Sequence, residues 1–275
     1  MENGFVDCHC HISAHEFEEV NCHMLEIIRH LFMNCRKFGA LLTLFIYSLI
    51  TAPSFIYTTQ IYYPDLVAPC FGIHPLQAAE GPQQRSVKPQ DLDVALPHFY
   101  NHKERLVAVG EIGLDFTPWC APTQQDRDDQ VTVFIKQLSV AKELDLPVNV
   151  HSRSAARVTI DTMKEQGISR ALLHNFAGKP SVALEGVKAG YLFSFPPAVC
   201  RSKQRDKLIK QIPLEHICLE TDSPALGLHQ HVRNEPANII LPCRYIADVK
   251  GLPPETVRLV TAHNAYRLFP KAKTR

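Results

Sequence analysis

The chain has 275 residues, of which 45% are hydrophobic, and its formal net charge at pH 7 is +1. This length fits one large domain or two small ones, and a (β/α) barrel often reaches it as a single unit. The near-neutral charge excludes binding of nucleic acid through a broadly basic surface, so phosphates would have to be held locally. The nine cysteines are scattered without a Cys-x-x-Cys pair. With no signal peptide at the start, they predict a reduced, intracellular protein, cytoplasmic or nuclear.

The first predicted strand, over residues 5–11, carries two histidines two positions apart. Side chains alternate along a strand, so Asp7, His9 and His11 are expected on one face, while Cys8 and Cys10 face the helices. Two imidazoles on one face can reach one metal ion, and imidazole suits zinc, iron, nickel or manganese. The alternative is a pair of ordinary histidines near a strand end.

Residues 38–64 contain no charged side chain and are strongly apolar at their start. A membrane helix needs about 20 apolar residues, and this segment is interrupted at Pro53, Ser54 and Thr58. We therefore expect no membrane span. The segment is instead predicted to contain a buried strand at 41–47, followed by irregular chain.

Short apolar strands alternate with amphipathic helices through the rest of the chain. The predicted strands lie at 67–71, 106–110, 147–150, 171–173, 191–195 and 217–221. The predicted helices lie at 18–35, 92–100 with a break near Pro97, 124–144, 159–166, 181–188, 203–212 and 254–269. Such alternation is typical of a parallel sheet in an α/β fold. About eight strands predict a closed, TIM-like (β/α)8 barrel forming one domain over residues 1–275, with an open doubly wound sheet as the alternative.

Metal-competent side chains recur where predicted strands give way to loops. These residues are His9, His11, Glu111, His151, His174 and Asp222. In a barrel the loops after the strands gather on one face, where active sites lie, so the six are expected to converge. Taken singly, each has a simpler explanation, because a lone histidine is more often a packing residue and a lone carboxylate after a strand is more often a helix N-cap.

These residues belong to motifs that occur in a characteristic order. The motifs are Asp7-Cys8-His9-Cys10-His11, Gly72-Ile73-His74-Pro75, Gly110-Glu111-Ile112-Gly113-Leu114-Asp115, Val150-His151-Ser152-Arg153, His174-Asn175-Phe176, Glu220-Thr221-Asp222-Ser223-Pro224 and Arg233-Asn234-Glu235-Pro236. The ordered set resembles the TatD family of metal-dependent deoxyribonucleases. The resemblance covers residues 4–15 and 66–270, whereas residues of about 20–65 look atypical of the family.

The resemblance implies a distorted TIM barrel with two divalent metal ions, whether zinc, magnesium or manganese. It assigns His9, His11 and Asp222 to the first ion and His151 and His174 to the second, with Glu111 bridging both. Glu111 and Asp222 are then the catalytic carboxylates, since Asp222 is placed to accept a proton from the attacking water.

The resemblance also implies DNA as the substrate and 3′–5′ exonuclease action by a monomer. His74, Arg153 and Arg233 are expected to bind the substrate, Arg153 through bidentate hydrogen bonds to phosphate. The alternatives are a surface salt bridge for Arg153 and a structural role for Arg233. Two alternatives stay open. One is an amidohydrolase-type enzyme acting on a small ester, amide or lactone, and the other is an inactive isoform whose atypical segment prevents the barrel from closing.

Overall fold

The structure is a computed structural model that describes residues 4–11, 43–46, 67–79 and 83–273. Strands occupy short, mostly buried stretches of this part of the chain. Their bounds are β1 Val6–Cys10, β2 Thr43–Ile46, β3 Val67–Phe71, β4 Leu76–Ala78, β5 Gln84–Ser86, β6 Ala108–Gly113, β7 Val148–His151, β8 Ala171–Leu173, β9 Leu192–Phe195 and β10 Ile217–Leu219.

Eight of these strands form one parallel sheet in chain order, β1-β2-β3-β6-β7-β8-β9-β10, while β4 and β5 form a separate antiparallel hairpin. Each strand pairs with the next one along the chain, which is the order of a barrel and not the reversed order of a doubly wound sheet. The strand predicted at 41–47 is confirmed as β2, which pairs with both β1 and β3.

The two ends of the sheet meet through backbone hydrogen bonds. The Asp222 N–H donates to the His9 carbonyl oxygen at 2.8 Å, and the His11 N–H donates to the Ser223 carbonyl oxygen at 2.7 Å. The chain that follows β10 therefore lies against the end of β1. This curled parallel sheet confirms the predicted α/β, TIM-like fold.

Helices cover the sheet between its strands. Their bounds are α1 Pro89–Asn101, α2 Gln124–Glu143, α3 Ala156–Glu165, α4 Pro180–Lys188, α5 Asp206–Gln211, α6 Ile240–Lys250, α7 Pro254–Leu268 and α8 Pro270–Lys273. Among the described residues, short 3₁₀ segments lie at Pro197–Arg201, Lys203–Arg205, Leu214–His216 and Pro236–Ile239. The helix predicted at 18–35 lies outside the described residues.

Two details of the predicted helices and strands were wrong. The helix α1 is not broken near Pro97, because the proline lies on the exposed side and leaves only the exposed Asp93 carbonyl without its helical partner. Glu111 does not stand after a strand but lies inside β6, where the pairing with β7 shifts register between Val109 and Ile112. An irregular register of this kind re-aims a side chain.

Two apolar clusters hold the barrel together. The larger lies between the sheet and helices α1 to α6, with Phe99, Phe134 and Ile246 among its fully buried members. The smaller joins residues of β1, β3, β6, β8, β9 and β10 to helix α7. Cys8 and Cys10 are both buried and outside any disulfide, as expected of packing residues, but they belong to different clusters. Strict alternation along β1 therefore fails, and the register of β1 against β2 is indeed irregular between Asp7 and Cys10.

Within the described residues, every helix is too short or too polar to span a membrane. Most of the apolar segment 38–64 lies outside those residues. The single-domain organisation, the intracellular location and the monomeric state stay predictions.

Candidate metal centre

All six residues that the sequence singled out as metal ligands come together at the carboxyl ends of the strands. Three groups of donor atoms, each with its members within 4.8 Å of one another, are formed by His9, Glu111 and His174; by His9, His11 and Asp222; and by His74, Glu111 and His151. Together with Arg153 and Asn175, most of these residues line a cavity of about 340 Å³.

The first half-site consists of His9, His11 and Asp222, and it faces Oε2 of Glu111. The two Nε2 atoms of His9 and His11 are 3.1 Å apart, and they lie 3.6 and 3.1 Å from Asp222 Oδ1. Glu111 Oε2 is 3.4 Å from His9 Nε2 and 3.7 Å from His11 Nε2. Four potential ligand atoms thus surround one point.

The second half-site consists of His151 and His174, and it faces Oε1 of Glu111. That oxygen is 2.8 Å from His151 Nδ1 and 2.6 Å from His174 Nε2, and the two nitrogens are 3.2 Å apart. The carboxylate of Glu111 therefore presents one oxygen to each half-site. The predicted bridging role requires this arrangement.

His9 and His151 each form a hydrogen bond through the ring nitrogen that faces away from the metal centre, and this bond fixes the orientation of the ring. Asn149 donates from Nδ2 to the Cys8 carbonyl at 2.9 Å, so its Oδ1, 3.1 Å from His9 Nδ1, accepts from that ring. The Nε2 lone pair of His9 then points into the first half-site. Likewise, His151 Nε2 donates to Asp115 Oδ2 at 2.9 Å and leaves Nδ1 for the second half-site. Partners of this kind set the tautomer and orientation of a metal-binding histidine.

Buried carboxylates give the cavity a strongly negative character. Burial alone would raise the pKa of Glu111, but the neighbouring His174, His74 and His9 lower it well below its usual value. Burial alone would lower the pKa of His9, but Glu111 and Asp222 raise it to about 10. Burial alone would lower the pKa of His151 as well, but the hydrogen bonds with Asp115 and Glu111 raise it to about 9. These carboxylates thus favour positive charge at the centre of the cavity.

His174 differs from His9 and His151 in its pKa. Burial and the charge of His9 lower its pKa to about 4, which keeps the ring neutral. Its Nδ1 is buried without a hydrogen-bond partner in the described part of the chain, and it lies 3.8 Å from Glu220 Oε2. Glu220 itself accepts from the Ser194 hydroxyl at 2.6 Å and the Asn175 N–H at 2.9 Å.

The donor set fits divalent metal ions. Ligand atoms bound tetrahedrally to zinc at about 2.1 Å lie roughly 3.4 Å from one another, and the first half-site shows separations of 3.1 to 3.7 Å. Nitrogen and oxygen lone pairs that converge this closely need either shared protons or a cation between them. Histidine and carboxylate ligands suit zinc and manganese, and the carboxylates also suit magnesium.

The three residues predicted to bind substrate occupy different places. His74 lies inside the cavity, with Nε2 3.3 Å from Glu111 Oε1, close enough to join the second half-site. Arg153 stands half-exposed at the rim and donates from Nε to Asp115 Oδ2 at 2.7 Å. Arg233 is exposed in the loop between β10 and α6, and it is not among the described residues that line the cavity. Substrate binding by all three stays a prediction.

Asp7 is not a member of any donor group in the described residues. Its carboxylate instead accepts from the Thr221 N–H at 2.9 Å, the Thr221 hydroxyl at 2.5 Å and the His9 N–H at 3.3 Å. Burial raises the pKa of Asp7 to about 7. Asp7 therefore joins β1 to the chain after β10, next to the first half-site.

Sequence reasoning assigned no role to Asn149, Asp115 and Glu220, although all three lie in or beside the quoted motifs. One signal was visible for Asn149, because it is a polar residue two positions before His151 in an otherwise apolar strand. Side chains two apart share a face, so Asn149 had to face the same side as a metal ligand. Asp115 and His151 pair across two loops, and the local sequence pattern does not indicate this hydrogen bond.

This fold is a parallel barrel, and at its strand ends several histidines surround a shared carboxylate. Together the fold and the site define a metal-dependent hydrolase. The model of the family described as TatD related DNase matches residues 6–270 of this chain. The chain therefore belongs to the TatD family, as the motifs predicted.

Individual relatives agree with this assignment. The chain is 49% identical over 270 residues to the human protein named deoxyribonuclease TATDN3, covering 98% of this chain and 96% of the human one. It is 31% identical over 211 residues to YabD of Bacillus subtilis, named a metal-dependent hydrolase, covering 74% and 78% of the two chains. The crystal structure of a TatD homologue from Escherichia coli superposes with a TM-score of 0.82 at 22% identity, covering 98% and 99%, and this supports the fold alone.

Proposed function

We propose that this protein hydrolyses phosphodiester bonds of DNA as a 3′–5′ exonuclease, with one divalent metal ion in each half-site. The observation that carries the proposal is the placement of Glu111, whose two oxygens face two separate sets of histidine nitrogens. Family membership supports the substrate, because the family is described as TatD related DNase and the human relative is named a deoxyribonuclease.

The protein side chains have distinct roles in this proposal. His9, His11 and Asp222 would hold one ion, His151 and His174 the other, and Glu111 would contact both. Divalent ions bound there would lower the pKa of an attacking water and neutralise charge on the phosphate.

Asp222 is the proton acceptor in this scheme. Burial would raise its pKa, but the hydrogen bond with His11 and the charge of His9 hold the pKa of Asp222 below its usual value. The carboxylate is therefore ionised at neutral pH, and it lies at the edge of the cavity, 8% exposed, where it can reach water. A general base must be both ionised and within hydrogen-bonding reach of the proton that it removes.

Arg153 and His74 are placed to hold the substrate. The Nε of Arg153 donates to Asp115 and its Nη2 lies 3.8 Å from Cys120 Sγ, which fixes the guanidinium group at the rim of the cavity. A guanidinium fixed in this way can donate two parallel hydrogen bonds to a phosphate. The cavity, of about 340 Å³, is at the small end of the range for ligand sites, and this favours a single terminal nucleotide over an internal stretch of duplex.

The test is a cleavage assay on single-stranded oligonucleotides labelled at either end, with manganese present. We expect the wild-type protein to shorten a 5′-labelled strand stepwise, and we expect Glu111→Ala and added chelator each to abolish cleavage while the variant keeps its circular dichroism spectrum. Asp248→Ala, in the exposed part of helix α6, is a matched carboxylate control. Cleavage that persists without Glu111 or in chelator would refute the mechanism, and internal cleavage products would refute the exonuclease assignment.

An amidohydrolase-type activity on a small ester, amide or lactone is less well supported. Many such enzymes bridge their ions with a carbamylated lysine, whereas Glu111 occupies the bridging position here and no lysine is among the described residues lining the cavity. A panel of small substrates alongside DNA separates the two activities.

An inactive isoform is distinguished by its response to metal. Ions that bind only the native protein raise its melting temperature. We expect manganese or zinc to raise the temperature of a single cooperative transition. A protein without such a transition, or without a metal-dependent shift, would fit the inactive alternative.

A further inference from the structure

A second cleft lies beside the metal centre, on the same face of the barrel. It has a volume of about 580 Å³, and its polar lining comes from Ser152, Ser154, Arg157, Lys179 and Ser181. These residues belong to the loops after β7 and β8 and to the first turns of helices α3 and α4. We call it the serine cleft.

The serine cleft and the metal cavity share the same two loops. His151 and Arg153 line the metal cavity, while Ser152 and Ser154, which alternate with them, line the serine cleft. Consecutive Cα atoms are 3.8 Å apart. Because phosphates follow one another at about 3.4 Å of axial rise along a DNA strand, a strand with one phosphate at the metal centre has neighbouring phosphates within reach of the cleft.

The chemistry of the lining is that of an anion site. It combines two cationic side chains with three hydroxyl groups, and the lining contains no carboxylate. Ser152 is 8% exposed, and its hydroxyl is not among the fully buried polar atoms that lack a partner in the described residues, so it is accessible from the cleft. The lining therefore suits an anionic ligand.

The two cations are available to such a ligand. In the described part of the chain, Arg157 forms an ion pair with Asp161, four residues along its own helix, at 3.9 Å and with both side chains about half exposed, and its charge also acts on Glu185. Exposed pairs of this kind contribute little. Lys179 has no ion-pair partner among the described residues and is exposed at the start of helix α4. The amino-terminal ends of α3 and α4 add a further positive potential.

The wall of the cleft is closely packed. A Cβ atom built on Gly178 would lie 2.5 Å from Phe176 Cζ and 2.7 Å from Ala156 Cβ. Only glycine therefore allows the loop after β8 to press against the start of helix α3. This contact holds the two halves of the lining at a fixed separation.

We propose that the serine cleft binds a backbone phosphate of a single-stranded polynucleotide, one or two nucleotides away from the bond that is cleaved. The proposal rests on the proposed nuclease function. It assigns to Arg157 and Lys179 the role of holding the strand, and to Ser152 that of a hydrogen-bond donor to a phosphate oxygen.

The test compares Arg157→Ala/Lys179→Ala with a matched control, Lys164→Ala/Lys188→Ala. The control removes the same charge from the same two helices, but from their last turns, at the far end of the barrel. Each protein is assayed with manganese on a single-stranded oligonucleotide and on the small diester bis(p-nitrophenyl) phosphate, which cannot reach the cleft.

We expect the ratio of the oligonucleotide KM to the small-diester KM to rise roughly five- to tenfold in the cleft variant and to stay at the wild-type value in the control. The slope of log(kcat/KM) against log salt concentration for the oligonucleotide should become shallower by about 0.7, because one phosphate contact is lost. The charge-conserving variant Arg157→Lys/Lys179→Arg should restore most of both values.

Equal ratios and slopes in the cleft and control variants would overturn the proposal. If the wild-type protein cleaves neither substrate, the proposed function fails. The salt dependence of oligonucleotide binding, followed by fluorescence anisotropy, then decides on the cleft alone, with the same change in slope supporting it and an unchanged slope refuting it.

Discussion

The two half-sites of the metal centre are built in different ways. In the second, the ligands come from neighbouring strands, and Glu111 and His151 are 40 residues apart along the chain. In the first, His11 and Asp222 are 211 residues apart and meet only where the chain after β10 reaches β1. The second half-site thus depends on local strand pairing, whereas the first depends on closure of the barrel. The structure therefore contains one site that should survive an incomplete barrel and one that should not.

Removing the ligands of each half-site separately should break the centre in two different ways. We expect His9→Ala/His11→Ala to retain one ion and His151→Ala/His174→Ala to retain the other, while Glu111→Ala weakens both. All three should lower the rate of phosphodiester cleavage by at least roughly a thousandfold, because a lost ion removes Lewis acidity that no side chain replaces. Metal content by mass spectrometry, with cleavage rates, measures this. Loss of both ions in either histidine pair would contradict two separable half-sites.

We call the contact between β1 and the chain after β10 the seam. Weakening the seam should damage the first half-site selectively. Asp7→Ala removes three buried hydrogen bonds, two of which join β1 to Thr221, and we expect it to reduce the free energy of unfolding by about 2–4 kcal/mol. Asp7→Asn, which keeps the shape and one acceptor, should cost less. Urea denaturation measures stability, and metal titration of the variant should show weaker binding at one site only. Equal weakening of both sites would show that the seam does not separate them.

The positioning residues should have smaller, local effects. Asn149→Ala frees His9 to rotate, and Asp115→Ala frees His151. Each should lower metal affinity about 10- to 100-fold at the half-site of its own histidine. Calorimetric titration with zinc measures the affinity of each half-site. Asp128→Ala, on the exposed side of helix α2, is the matched control. A change in the opposite half-site would indicate that the residues act through general destabilisation.

The stability of the metal-free protein should decrease modestly as the pH rises, whereas the affinity for metal should increase. The pKa values of His9 and His151 are raised to about 10 and about 9, so their contribution to stability is complete below about pH 6.5 and is lost as the pH rises through 9 to 10. Glu220 acts in the same direction, because burial raises its pKa to about 8. Ions compete with these protons, so metal affinity should instead rise as the pH increases towards 9 to 10 and fall steadily below that range.

Scanning calorimetry in chelator and in manganese, at several pH values, tests this pair of trends. We expect the melting temperature in chelator to decrease between neutral and alkaline pH, and the increment due to metal to grow over the same range. A melting temperature in chelator that rises with pH, or a metal increment independent of pH, would show that these histidines are not the ligands.

The strands and the ligands were predictable because each apolar run is short and ends at a polar residue. The segment Ala171–Leu173, followed by His174, shows this pattern fully. The register irregularity that puts Glu111 inside β6 was not predictable, since it arises from pairing with β7. The hairpin of β4 and β5 was missed because its strands are three residues long, and helix α6 was missed although its buried positions, Cys243, Ile246 and Ala247, follow a helical spacing.

The central claim is that one carboxylate serves two cation sites, and crystals grown with manganese or zinc test it directly. We expect an anomalous-scattering map to show two peaks, one beside each oxygen of Glu111, the first within bonding distance of His9 and His11 and the second within bonding distance of His151 and His174. A single peak, or peaks that lie away from Glu111, would contradict the account.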